Sequence, residues 1–128
     1  MLIGELATRT GVSTRLLRYY EDQGLLDVGR QSNGYRWYSE CAPEQVIKIR
    51  KLLAVGLTTD TIRVVLPCIA LADDELVPGC AEMRMHLTTH RIRLAHHIER
   101  LTDAQQAIGE LETRVPAQAA TRAFNDDA

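Results

Sequence analysis

The stretch Gly11-Val12-Ser13-Thr14-Arg15-Leu16-Leu17-Arg18-Tyr19-Tyr20-Glu21, continued by Asp22-Gln23-Gly24-Leu25-Leu26, decides how this chain folds. Ser13 is a good N-cap, because its hydroxyl accepts a bond from the free N–H groups that open a helix. Gly24 stands where a C′ glycine closes one. Between them Leu16, Leu17 and Tyr20 supply apolar surface at helical spacing, with Leu16 expected buried or half-buried. Arg15, Arg18 and Tyr19 then face outward. Upstream, Leu2-Ile3-Gly4-Glu5-Leu6-Ala7 reads as a first short helix that Thr10-Gly11 breaks, with Val12 packed into the junction. Two short helices around a tight turn, the second presenting arginines, form the arrangement that enters a DNA major groove.

Downstream the pattern changes. Gly29, Ser32, Asn33 and Gly34 are turn formers, and Tyr35, Trp37 and Tyr38 prefer strands. Asn33-Gly34-Tyr35-Arg36-Trp37-Tyr38 therefore reads as the tip of a two-stranded wing, with Trp37 as a plug between wing and helix. Pro43 is well tolerated in the first turn of a third helix. Val46, Ile47, Ile49, Leu52, Leu53 and Val55 form its apolar face, and Gly56 closes it. Thr58 caps a fourth helix that ends near Pro67. From Cys68 to Gly79 the chain reads as a linker whose acidic cluster, Asp73-Asp74-Glu75, is solvated.

A long helix is predicted from about Ala81 to Arg114, stopped by Pro116. Leu87, Leu94, Leu101, Ile108 and Val115 recur every seven residues, and Met83, His90, His97, Ala104 and Leu111 fill the intervening heptad positions. One helix cannot bury such a stripe, so it calls for a partner helix. At about 50 Å it is longer than the domain it would otherwise fold back upon, which favours a homodimer.

Composition bounds the rest. The 128 residues suit one modest globular unit, or a small domain with a long helix. A single Phe and a single Trp exclude a large aromatic core. No apolar run is long enough for a membrane span, and no signal peptide is evident, so a cytoplasmic location is expected. The net charge is −2, but residues 1–70 hold nine basic and seven acidic residues while residues 71–128 hold six and ten. The small basic excess sits with the helix and wing.

Turn, basic-aromatic helix and basic-aromatic hairpin together resemble the winged helix-turn-helix of the MerR family of bacterial transcription regulators, over nearly the whole chain. The resemblance implies a mainly α fold: a winged helix-turn-helix domain at residues 1–70, a linker and effector loop at 71–80, a coiled-coil dimerisation helix at 81–115 that pairs antiparallel with its twin, and a flexible tail at 116–128. It places Thr14, Arg15, Arg18 and Tyr19 at DNA, with Arg18 and Tyr19 on phosphates and Arg15 on a base edge. Tyr35, Arg36 and Tyr38 match wing positions that touch the backbone. Leu16 stands where the family more often has threonine. The implied partners are a pseudo-palindromic double-stranded promoter, RNA polymerase and a second copy. The implied mechanism is distortion of DNA between promoter elements.

Short members of the family often sense metal ions or oxidants near the start of the dimer helix, where Cys80 stands. Cys68 lies twelve residues earlier. The pair can bind a metal ion with help from a histidine such as His86 or His90, form a regulatory disulfide, or pack the linker as small apolar residues. The second thiol cluster of metal-sensing relatives and the four-cysteine set of an iron–sulfur centre are both missing. Cys41 reads as structural. His90 and His97 fall on the seam, with His86 and His96 beside them, where histidine can set register, report pH or complete a metal site. A DNA-architectural or recombination accessory protein of related winged-helix fold is the alternative, but the long helix argues against it. No catalytic spacing or phosphate loop suggests an enzyme.

Overall fold

In a computed structural model of the chain, residues 1–30 and 33–117 are described. The expected tail falls outside them from residue 118 onward, as does Ser32 of the wing turn. The first helix, α1 (Ile3–Thr10), stops at Gly11, whose φ of +72° suits a residue without a Cβ and whose N–H bonds the Ala7 carbonyl. Val12 is buried in the turn. Ser13 Oγ accepts from the Leu16 N–H at 3.2 Å and starts α2 (Thr14–Asp22). Leu17 and Tyr20 point inward with Leu6. Leu16 lies one residue, about 100° of helical turn, away from that face. It is exposed, contrary to expectation.

The wing forms from β1 (Gly29–Arg30) and β2 (Arg36–Trp37), antiparallel, with Gly29 opposite Trp37 and Arg30 opposite Arg36. Asn33 Oδ1 accepts from the Tyr35 N–H at 3.1 Å and holds the returning strand. Neighbouring residues of a strand point to opposite faces. Trp37 and Tyr38 therefore divide: Tyr38 is fully buried and Trp37 is 44% exposed. The plug between wing and helix is thus Tyr38, not the expected Trp37. What draws Tyr38 inward is visible at both ends of the residue. Its N–H donates to the Met1 carbonyl at 2.7 Å, and its hydroxyl donates to Glu21 Oε2 at 3.2 Å.

Helix α3 (Ala42–Ala54) carries Pro43 in its first turn and buries Val46, Ile49 and Leu52. Thr58 Oγ1 accepts from the Thr61 N–H and opens α4 (Thr59–Val65). A 3-10 turn, Leu66–Cys68, follows. The segment read as a linker is a second hairpin, β3 (Ile69–Ala72) and β4 (Glu75–Pro78), with Ile69 opposite Pro78 and Ala72 opposite Glu75. Its turn is Asp73-Asp74, with φ of +50° and +62°. A two-residue hairpin loop wants positive φ at both places, and aspartate is among the residues that tolerate it. Ile69 is buried and Leu76 packs against the core.

The chain divides into two compact units, residues 1–88 and the residues from 89 on. Helix α5 (Ala81–Arg114) begins in the first and runs through the second. Within the first unit, Met83 is buried in the core and Leu87 packs against it. In the second, Ile92, Leu94, Ile98, Leu101, Ile108 and Leu111 are all exposed. No helix among the described residues is long and apolar enough to cross a membrane.

Candidate nucleic-acid interface

Helix α2 sorts its side chains by periodicity. With Leu17 and Tyr20 in the core, Arg15, Arg18 and Tyr19 are left on the outer face, and Thr14 is half-buried at the first turn. Arg15 and Arg18 are three residues apart, and Arg15 and Tyr19 four apart, so the three form one patch. Neither Arg15 nor Arg18 has an ion pair among the described residues. The end of α2 is fixed from outside. Arg63 of α4 donates from Nε (2.8 Å) and from a terminal guanidinium nitrogen to the Gln23 carbonyl, and also pairs with Asp60. A cation on the last carbonyls of a helix satisfies orphan acceptors and opposes the dipole.

The wing joins this face. An open groove of about 600 Å³ is lined by Leu2, Ile3, Gly4 and Glu5 of the N-terminal segment, Arg18 of α2, and Tyr35, Arg36 and Trp37 of the wing. Arg18, Tyr35 and Arg36, chosen from sequence at two separate places, thus line one concavity. Tyr35 is 65% exposed and Trp37 stands beside it.

Glu21 connects wing to helix. Its Oε2 lies 3.4 Å from a guanidinium nitrogen of Arg36 and accepts the Tyr38 hydroxyl bond, and its side chain is mostly buried. Burial, reinforced by the negative charge and hydrogen bond of Glu21, holds the Tyr38 phenol above its ordinary ionisation range. Burial also raises the Tyr20 phenol. Tyr38 must therefore be withdrawn from the residues expected to touch DNA. Its side chain has no accessible surface, and its partner is a carboxylate within the protein. Two residues escaped the sequence reading. Trp37 was assigned to the core, and Glu21 gave no local signal, because its partners lie 15 and 17 positions away.

The candidate effector residues separate into groups. Cys68 and Cys80 form a disulfide with Cα atoms 5.3 Å apart. His86 and His90 lie farther along the first turns of α5, half-buried. His97 Nδ1 lies 3.1 Å from an Arg100 nitrogen on the same helix. No cluster of three or more His, Cys, Asp or Glu that could hold a metal ion occurs among the described residues. A closed zinc site takes four ligands, with its sulfurs as thiolates. Sulfurs bonded to each other offer none, so this arrangement does not fit a metal centre. Cys41 is a free, exposed thiol at the start of α3.

Residues 1–67 match the family described as MerR HTH family regulatory protein. The chain is 30% identical over 120 residues to the HTH-type transcriptional regulator CueR of Bacillus subtilis (strain 168), covering 91% of this chain and 82% of that one. It is 29% identical over 115 residues to the mercuric resistance operon regulatory protein of Bacillus cereus, with 89% and 84% covered. Among solved structures it resembles the transcription regulator PbrR691 from Ralstonia metallidurans CH34 in complex with lead(II). That match has a TM-score of 0.75 and 26% identity, over 91% of this chain and 89% of that one.

Proposed function

The chain belongs to the MerR family of HTH transcription regulators, a family of regulators and not of enzymes, and from that premise we propose that it binds a pseudo-palindromic promoter as a homodimer. The observation that carries this reading is the single face made by α2 and the wing. Arg15, near the start of α2, reaches a base edge, where a guanidinium bonds guanine in two places. Arg18 and Tyr19 hold phosphates, joined by Thr14 at the helix start. On the wing, Tyr35 and Arg36 meet the backbone beside the groove, and Trp37 replaces Tyr38 as the third contact. The flat, half-exposed indole offers apolar surface to the sugars that edge the groove.

Dimerisation is supported by α5. From Ile92 to Leu111 its apolar side chains are exposed, and an antiparallel second copy of the same helix covers them. Two recognition helices related by a two-fold axis read an inverted repeat. By likeness to the family, bending of the DNA between promoter elements presents them to RNA polymerase, at a deformation cost of about 1–6 kcal/mol for a smooth bend. A recombination accessory role leaves the 34-residue α5 without a use.

The test is selection from a random-sequence duplex library, followed by titration of the selected duplex into the protein. Trp37 is the sole tryptophan, so its emission reports on the wing directly. The expected outcome is an inverted repeat, a change in emission on binding, and a relaxed preference at one base pair per half-site in Arg15→Ala. Recovery of no motif, or a motif unchanged in Arg15→Ala with silent tryptophan emission, would refute the assignment.

A further inference from the structure

We infer that Cys68 and Cys80 form a reversible thiol–disulfide site, whose co-reactant is a low-molecular-mass disulfide and whose oxidation state sets how firmly the start of α5 is tied to the winged-helix core. The part of this inference that concerns DNA rests on the function proposed above. The chemistry at the two sulfurs does not.

Three observations support it. The first is place. Cys68 ends the 3-10 turn after α4, and Cys80 immediately precedes α5. The bond between them closes the neck of the β3–β4 hairpin and attaches the origin of the long helix to the end of the DNA-binding core.

The second is preorganisation. Contacts other than the bond also hold these residues together. The Gly79 N–H donates to the Cys68 carbonyl at 2.8 Å, the next pair of the ladder is Ile69 with Pro78, and Ile69 and Met83 anchor the two sides in the core. Thiols released by reduction stay close enough to re-form the bond, because reaction within a held pair has a high effective concentration. The neck is also narrow. A Cβ on Gly79 would come within 3.2 Å of the Cys68 carbonyl oxygen.

The third is access. Cys80 is an exposed residue and Cys68 half-buried, which makes Cys80 the more open side of the pair. Its sulfur sits at the N-terminal end of a 34-residue helix, where negative charge is favoured.

The reaction balances as two exchanges. The Cys80 thiolate attacks one sulfur of the small disulfide, forming a mixed disulfide and expelling one small thiolate. The Cys68 thiolate then attacks the Cys80 sulfur, forming the protein disulfide and expelling the second. Two protein thiols are oxidised, one small disulfide is reduced to two thiols, and the two protons pass from the cysteines to the departing thiolates. In the reverse direction a small thiolate opens the bond at Cys80 and Cys68 leaves. With the bond broken, α5 is held at its origin by Met83, Leu87 and the hairpin alone.

The test uses the full chain equilibrated in reduced and oxidised glutathione mixtures, with thiols alkylated and counted by intact mass. The expected result is loss of two thiols together, reversed by excess reduced glutathione, with Cys41 reactive throughout. Hydrogen exchange read on the same samples is expected to be about tenfold faster in residues 69–83 of the reduced form, as local unfolding equilibria allow, and Cys80→Ser is expected to match the reduced form. On the selected duplex, oxidised and reduced protein are expected to differ about fivefold or more in affinity, a difference that both Cys68→Ser and Cys80→Ser abolish. Failure of the pair to cycle, or identical exchange in both forms, overturns the inference. So does zinc capture by the reduced protein that blocks reoxidation. Equal affinity in both forms overturns its regulatory part. Absence of DNA binding in either form counts against the proposed function, while thiol counts and exchange still decide this one.

Discussion

Residues 1–88 and the helix beyond them draw on the same apolar residue types in opposite ways. In the first unit Leu6, Leu17, Tyr20, Tyr38, Ile49, Leu52 and Ile62 lose nearly all contact with solvent. From residue 89 on, leucine and isoleucine keep about half or more of theirs. Helical periodicity alone does not distinguish the two, since α3 and α5 both carry apolar stripes. The difference is closure. Around α3, helices α1 and α4 and strand β3 supply the opposing surface, whereas the described part of the second unit is one helix, with no element of its own to face. Such a stripe is what the proposed second copy would cover.

The largest effect that can break this comparison comes from a charge on the stripe. Leu101→Asp should convert a two-copy species into single chains in sedimentation, and should lower affinity for the inverted repeat about 100-fold or more, because linked half-sites bind as one. Retained dimers in that variant would assign the stripe to some other contact.

A pair of glycine substitutions sharpens the contrast at intermediate size. Gly24 has a φ of +73°, and an added Cβ would lie 3.2 Å from Arg63 Nε. Gly24→Ala should therefore cost about 1 kcal/mol or more, read by urea unfolding. Gly109 lies within α5, and a Cβ added there would meet nothing within 4 Å among the described residues. There alanine should add about 1 kcal/mol of helix stability. A loss at Gly109 would show that a second helix approaches at that level.

The smallest effect is one of pH. The Tyr38 and Tyr20 phenols ionise later in the folded chain than in the unfolded one. Their contribution is complete at neutral pH, begins to fall as pH rises past the ordinary tyrosine value of 10, and is lost once the folded groups ionise. Tyr38→Phe should lessen that alkaline loss, and should cost about 1 kcal/mol at neutral pH through the missing bond to Glu21. An unchanged alkaline unfolding limb would show that Tyr38 does not carry it.

Local chemistry was what the sequence conveyed well. Ser13, Thr58, Gly11, Gly24 and Pro43 each act on the few residues around them, and each stands at the helix end where its capping or turn chemistry put it. The helical period of α5 was equally plain, being regular over many turns, but its first two heptad positions, Met83 and Leu87, pack on the core of the first unit and not on the expected seam. Partners distant along the chain were hidden. Tyr38 and Trp37 have similar strand preference, and only contacts with Met1 and Glu21 decide which one turns inward. The second hairpin was concealed by its turn, since Asp73-Asp74 beside Glu75 looks like a solvated acidic run unless positive φ at aspartate is considered. Leu16 was misplaced because one step along a helix separates core from rim. The cysteines could be paired only after that hairpin brought their backbones together.

Carboxylates are distributed unevenly among the arginines of the first unit. Arg9 meets Glu5 and Glu40, Arg63 meets Asp60, and Arg36 meets Glu21. A guanidinium already neutralised by a neighbouring carboxylate displaces few condensed counterions when it nears a phosphate. The ionic-strength dependence of complex formation should therefore follow Arg15, Arg18 and the other basic residues outside these pairs more closely than the full nine counted in the first 70 positions. The protein would tolerate potassium better than a cationic surface of that size suggests, and its discrimination between sequences would be less diluted by indiscriminate attraction to chromosomal polyanion.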